Sequence, residues 1–419
     1  FIFFIFLIIY TIYSIHLIKL GTLYSKVEKT NTPSINEKLY RADIVDINGN
    51  YLAKTVNSID IGLKTSDVIN QKKLLLSLNL IFPNKDFDEI EKKMKQKNFF
   101  YLEKKVSEEN YEKLMKLGDK SLKPEEKVLR IYPQKNLFSH IIGQIDNDNI
   151  GISGLEKSLN EILIKSRKSI RLTVDKDLQF LIREELIKYQ EIFKSKGSAS
   201  ILMDIHNGNI LSLVSLPDFD PNERQNLTDV NYINRVTKGT YELGSVFKAF
   251  TFASALNEKL IKPETEFLNL PKSINCYGFP IREYDNEIPS DLTAEQIFVR
   301  SGNIGSVRIA QKVGPEKFKS FLEKIGVLSD IQFDIEEVAP QKNYNFGKCK
   351  LATASFGHGV ATTILQLAKG YAILSNGGYD IKPTLVKNNL EKNTKKKKLL
   401  NEGVSEQVVN ALRKIVSTE

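Results

Sequence analysis

Ser245-Val246-Phe247-Lys248 and Ser301-Gly302-Asn303 are the residues of this chain whose types and spacing can do covalent chemistry. A serine hydroxyl is a weak nucleophile at neutral pH and needs a neighbour to take its proton. Residues three apart share one face of a helix, so Lys248 can set its amine against the hydroxyl of Ser245. Gly244 permits a sharp entry into that helix, and Val246, Phe250 and Ala253 are expected to anchor it in a core. The positive end of the helix dipole would favour a developing alkoxide at Ser245. By itself the tetrapeptide also fits an ordinary helix with a surface lysine. Ser301 and Asn303 equally fit a helix N-cap.

The surrounding segments narrow the choice. Tyr241-Glu242-Leu243-Gly244 leads into Ser245, and Ser301-Gly302-Asn303 continues as Ile304-Gly305. Phe356-Gly357-His358-Gly359-Val360-Ala361-Thr362-Thr363 then precedes Leu365-Gln366-Leu367-Ala368. Upstream stand Arg41-Ala42-Asp43-Ile44-Val45-Asp46, Tyr132-Pro133, His140, Gly143 and Gly154-Leu155-Glu156-Lys157. In this order the segments resemble the class B penicillin-binding proteins over nearly the whole chain. The chain departs from them in Leu243, where proline is frequent, and in Gly302, where a second serine is common. Ser-x-x-Lys is a shared signature of penicillin-binding proteins and class A β-lactamases.

That resemblance implies a peptidoglycan D,D-transpeptidase. Ser245 would attack the carbonyl between two D-alanines of a stem peptide, and an amine of a neighbouring strand would take the acyl group. Lys248 would serve as base, Ser301 would relay a proton, and Asn303 would hold the substrate amide and orient Lys248. Gly302, His358 and Gly359 would shape the substrate cleft, with no metal and no cofactor. The family's Lys-Thr-Gly triad does not occur. Thr237-Lys238-Gly239 is a scrambled lookalike ahead of the nucleophile, and the family order places the triad beyond Leu412-Arg413-Lys414. The chain, which starts at Phe1 and stops at Glu419 within a helical pattern, is thus expected to be a fragment that is itself inactive.

The short run from His140 to Glu156 favours the septal, FtsI-like branch over the elongation-specific one. A membrane-anchored β-lactam sensor and a non-catalytic divisome scaffold stay open. A sensor would add several spans and a cytoplasmic effector, whereas a scaffold would leave Ser245 idle. Partners implied by the resemblance are stem peptides, β-lactams, the membrane and division proteins such as an FtsW-type glycosyltransferase.

The elements that must position these residues fill 419 residues, 26% of them charged and 41% hydrophobic, enough for two cored domains. Phe1–Ile18 is almost wholly apolar and reads as a membrane-spanning helix. The resemblance implies an inner-membrane anchor with all that follows Leu20 in the periplasm. The expected organisation is a transmembrane helix over 1–20, a linker over 21–40, a pedestal of dimerisation type over 41–165 and a transpeptidase domain over 170–419. The fold class is α+β, with an antiparallel sheet flanked by helices. The net charge of +9 is spread, its one dense run being Lys395–Lys398, so nucleic-acid binding is not expected. Cys276 and Cys349 form neither a disulfide framework nor a zinc site, and the sequence leaves open whether they pair.

Local signals place several elements. Helices are expected over Asp86–Lys97, Glu108–Lys116, Lys176–Tyr189 and Ile304–Val313, the last stopped by Gly314. Thr293-Ala294-Glu295-Gln296 reads as a capping box. Asn207-Gly208, between apolar runs, predicts a hairpin over Ser198–Pro217 with a type I′ turn, which makes His206 a turn residue.

Overall fold

The structure is a computed structural model describing residues 2–25, 40–223, 232–276, 278–336, 346–387 and 396–417. Of the expected 21–40 linker, residues 21–25 are instead helical, and residues 26–39, like Lys395 and the terminal Glu419, lie outside the described residues. The N-terminal run is one continuous helix, α1 (Ile2–Ser25), through the polar Thr11, Ser14 and His16, and the Thr11 hydroxyl donates to the Leu7 carbonyl. Its large apolar side chains, such as Phe3, Ile9 and Ile12, are exposed where described. Among the described residues, however, no helix is long and apolar enough to cross a membrane, so the expected spanning helix is not part of the observed fold.

The chain divides into two compact units, the first holding residues up to 40 and 56–129, the second 41–55 and 130–419. β1 (Ile44–Val45) and the first residues of β2 (Tyr51–Lys64) belong to the second unit. In the first unit the remainder of β2 is followed by α2 (Gln71–Ile81), α3 (Phe87–Gln96), β3 (Phe99–Val106), α4 (Glu108–Lys116) and β4 (Leu122–Ile131), whose last two residues belong to the second unit. The two expected helices are α3 and α4. Asp86 and Ser107 cap them by accepting the amides of Glu89 and Asn110, as short polar side chains do at N-termini. β2 and β3 pair antiparallel, and Ile61, Leu63, Leu78 and Leu114 are fully buried in the core beneath them.

The second unit takes in both ends of the expected 41–165 pedestal, residues 41–55 and 130–165. Here lie α5 (Ser139–Ile142), α6 (Gly154–Ser158), α7 (Asn160–Lys165) and β5 (Ile170–Arg171), which pairs parallel to β1. Then come α8 (Lys176–Phe193), capped by Asp175, and the antiparallel hairpin of β6 (Ser198–Met203) and β7 (Ile210–Leu216). The hairpin is as expected but its turn is not. The loop spans six residues, 204–209, and only Gly208 has positive φ, at +79°. The Asp204 carboxylate accepts the His206 amide at 2.7 Å and imposes a wider turn than a type I′ pair would make.

The remaining elements build the helical core that carries the candidate residues. They are β8 (Thr240–Glu242), α9 (Lys248–Asn257), β9 (Glu266–Phe267), β10 (Ser273–Cys276), β11 (Phe279–Arg282) and β12 (Leu292–Thr293). They continue as α10 (Ala294–Val299), α11 (Asn303–Val313), α12 (Pro315–Lys324), α13 (Lys348–Ala354), β13 (Ala361–Thr363), α14 (Ile364–Ser375) and α15 (Val404–Ser417). The class is α+β. Among the described residues the strands of this region form two-stranded ribbons, the β6–β7 hairpin being the longest. Every residue of α9 is buried, and α10, α11, α12 and α15 pack around it. The Thr293–Gln296 capping box opens α10, and Gly314, at φ +80°, ends α11. Cys276 on β10 and Cys349 on α13 are joined by a disulfide, which answers what the sequence left open.

Candidate active site

Gly244, at φ +59°, turns the chain out of β8 into a short 3₁₀ turn, Gly244–Phe247, that runs directly into α9. Ser245 sits exposed on this turn while Phe247 and Phe250 are fully buried beneath it. Their rings meet edge to face, and Phe250 meets Tyr371 of α14 likewise. The Tyr371 hydroxyl donates to the Val246 carbonyl at 2.6 Å and pins the turn from outside. Of the three expected anchors, Phe250 and Ala253 are buried, but Val246 is 45% exposed. The 3₁₀ geometry rotates Val246 outward and gives its place to Phe247.

Lys248 opens α9 and is 2% exposed. Its Nζ lies 3.2 Å from Ser245 Oγ, 2.9 Å from Ser301 Oγ and 2.5 Å from the Ser301 carbonyl oxygen. Burial pulls its ammonium pKa down to about 8, against the pull of the Glu283 carboxylate in the other direction. The amine therefore sits between two serine hydroxyls with its proton only loosely held near neutral pH. Ser301 reaches it from the junction of α10 and α11, where its own backbone is left-handed, at φ +56°. A non-glycine residue in that region carries strain and must be held by its surroundings. Gly305 allows this close junction, because a Cβ there would stand 2.5 Å from the Ile297 side chain.

Asn303, the first residue of α11, lies on the same cleft but makes no bond to Lys248. Its side-chain amide donates to the Arg282 carbonyl at 2.9 Å. Its backbone amide and that of Ile304 donate to the two oxygens of Glu283, at 2.6 and 2.8 Å. Gly302 is buried behind them. Glu283 is a residue that sequence reasoning missed. It follows β11 with no motif around it, and only its position after a strand beside the Ser-Gly-Asn turn exposes its role.

On the opposite rim β13 pairs antiparallel with β8, and the loop before β13 carries His358 between Gly357 and Gly359, at φ +83° and +73°. A Cβ on Gly357 would come within 2.1 Å of the Gly244 carbonyl oxygen, so the loop and the Ser245 turn touch backbone to backbone. His358 is exposed, lines the cleft and bonds through Nδ1 to Glu242 at 3.1 Å. Gly359 stands beside the cleft without lining it. The cleft between the rims measures about 240 Å³. Thr237-Lys238-Gly239 takes no part: Thr237 and Lys238 both bind Glu336, by its backbone carbonyl and its carboxylate respectively.

An exposed serine hydroxyl, a buried amine and a second hydroxyl thus converge on one face of a cleft, an arrangement suited to acyl transfer. The family profile described as "Penicillin binding protein transpeptidase domain" matches residues 198–419, and "Penicillin-binding Protein dimerisation domain" matches residues 37–190. The chain is 26% identical over 352 residues to the "Probable peptidoglycan D,D-transpeptidase FtsI" of Caulobacter vibrioides, covering 83% of this chain and 59% of that protein. It is 29% identical over 298 residues to the "Probable peptidoglycan D,D-transpeptidase PenA" of Neisseria gonorrhoeae, covering 64% of this chain and 51% of that one. It therefore spans little more than half the length of these curated relatives. The fold matches a crystal structure of a peptidoglycan synthetase from Bifidobacterium adolescentis with a TM-score of 0.67 at 18% identity, covering 91% of this chain and 81% of that one. With a catalytic-domain match over more than half of its residues and a dimerisation-domain match ahead of it, the chain belongs to the penicillin-binding protein transpeptidase family.

Proposed function

We propose that the chain is the acyl-transfer part of a peptidoglycan D,D-transpeptidase that works through a Ser245 acyl-enzyme and serves the division septum. The observation that carries the reading is the Lys248 amine, buried and within hydrogen-bond distance of both Ser245 Oγ and Ser301 Oγ. Neutral Lys248 takes the Ser245 proton as Oγ adds to the D-alanyl carbonyl carbon. The carbon–nitrogen bond to the terminal D-alanine then breaks as Ser301 passes its proton to the departing amine and takes back from Lys248 the proton that came from Ser245. A stem-peptide amine attacks the resulting ester and forms the cross-link, its proton passing by Ser301 and Lys248 to Ser245 Oγ as the ester bond breaks. A β-lactam enters the same path as an acylating agent.

The septal assignment draws on the short His140–Glu156 run and on the relative named FtsI. An oxidising periplasm agrees with the Cys276–Cys349 disulfide. Membrane attachment is proposed for α1 from its exposed apolar side chains. The test is fluorescent penicillin on the protein expressed from its complete reading frame. Label is expected on Ser245 and lost in Ser245→Ala, and label on another serine overturns the assignment. Depletion in a growing host should give filaments with unfinished septa, whereas swollen, rounded cells would favour elongation.

A further inference from the structure

The N-terminus of α11 lacks the cap that its position calls for. Gly302 occupies the N-cap and has no side chain to accept the first free amides of the helix, where serine, threonine, asparagine or aspartate normally serves. Glu283 supplies that function from another element. It stands immediately after β11, and its carboxylate accepts the amides of both Asn303 and Ile304. The strap that carries it is itself fixed. β10 and β11 pair over four residue pairs, Lys272 Nζ holds the carbonyls of Asn286 and Ile288, and Cys276 is tied to α13.

We propose that Glu283 is a positioning residue of the active site: its carboxylate clamps α11 so that Ser301 keeps its left-handed backbone, with carbonyl and hydroxyl both on the Lys248 amine. The proposal rests on the acyl-transfer reading above. Two consequences separate its parts. The clamp holds geometry, and the charge favours the protonated form of Lys248. The other charged or titratable groups around the cleft are Asp285 and Tyr284 on the strap, Arg300 at the end of α10, and His358 with Glu242 on the far rim. None of them hydrogen-bonds the Lys248 amine.

The experiment measures the acylation rate by fluorescent penicillin against pH in wild type, Glu283→Ala, Glu283→Asp and the double variant Glu283→Ala with Gly302→Ser. A Cβ at Gly302 meets nothing closer than 3.7 Å, so a serine fits there and can cap the helix itself. Glu283→Ala should lower the high-pH plateau about ten- to a hundredfold. It should also move the acid limb to lower pH by about half a unit or more, since neutral Lys248 is then reached with less base. Restoring a cap through Gly302→Ser should recover much of the plateau and leave the limb displaced. Glu283→Asp, which retains the charge, should keep the wild-type limb. Independently of activity, amide exchange at Asn303 and Ile304 should quicken in Glu283→Ala and slow again in the double variant. A wild-type plateau and limb in Glu283→Ala overturn the proposal, as does a lowered plateau that Gly302→Ser cannot recover with the limb unmoved. Wild type that fails to label at Ser245 defeats the acyl-transfer reading, and the exchange measurement then still judges the clamp.

Discussion

Lys248 is buried as a cation would not choose to be, and its chemistry follows from that burial. Its folded pKa of about 8 lies below that of an exposed lysine, so the charged form is the one that folding disfavours. Between about pH 8 and the ordinary lysine value of about 10.4, the unfolded chain binds a proton that the folded chain does not. Stability from this site therefore rises with pH across that window, and below it the full cost of the buried charge is paid. Acylation of Ser245 should instead rise with pH through about 8, the folded value, and level off above it, because only the neutral amine can take a proton. Lys248→Arg keeps a permanent cation in a site shaped for an amine and should lower acylation by about 10²–10⁴-fold at every pH. Lys248→Met should lose acylation to a similar extent yet unfold at no lower temperature at pH 7, since it removes a desolvated charge. Melting curves and penicillin-labelling rates of the two variants check both statements. A Lys248→Arg protein with a normal rate would mean that another group takes the proton.

The elements that carry strong local signals were legible, and those set by distant partners were not. Asp86, Ser107 and Asp175 announce the starts of α3, α4 and α8, and the Thr293 capping box and Gly314 bound α10 and α11, because capping is a matter of three or four adjacent residues. That Ser245, Lys248 and Ser301 meet was readable for a related reason, since the segments that carry them are short. The hairpin turn misled because the Asp204 carboxylate, outside the Asn-Gly pair, decides the loop. Val246 misled because a 3₁₀ turn displaces the helical register by which its face was assigned. Glu283 was invisible because its partners lie 20 residues away and are backbone amides that leave no trace in sequence. The disulfide is the same kind of long-range fact. It joins β10 to α13 across a separation of 73 residues, which in the chain-entropy account of cross-links stabilises by about 4 kcal/mol. Replacing both cysteines by serine should cost about 2–4 kcal/mol in urea unfolding, and thiol titration of the unreduced protein should find no free cysteine. Two titratable thiols in protein from an oxidising compartment would contradict the pairing.

Across the chain as a whole, the residues that most resemble the family outside the cleft do structural work in the second unit. Arg41 and Glu156 stand 115 positions apart and meet with neither side chain exposed. Arg41 Nε donates to Glu156 Oε2 at 2.9 Å, while its other nitrogens reach the carbonyls of Asn149 and Glu156 and the side chain of Asn160. Arg130 donates to the second carboxylate oxygen at 2.7 Å, and to the Ala42 carbonyl and the Thr55 hydroxyl. The Tyr132 hydroxyl lies 3.4 Å from the same carboxylate, and burial raises its pKa beyond the ordinary phenol range. One anion thus faces two guanidinium groups away from water and joins residues 41–55 to the segment from 130 onward. Such a group is worth little against an apolar replacement of the entire cluster, yet removing one member strands the others. Glu156→Gln keeps the shape, leaves two buried cations without a counter-charge, and should lower the unfolding free energy by about 3–5 kcal/mol. Glu161→Gln removes an exposed partner of Lys165 on α7 and should change it by less than about 1 kcal/mol. Urea unfolding of the two variants beside wild type makes the comparison. If Glu156→Gln unfolds within about 1 kcal/mol of wild type, water reaches the cluster and the segment 41–55 is held by its apolar contacts, Ala42, Ile44, Leu52 and Ala53, instead.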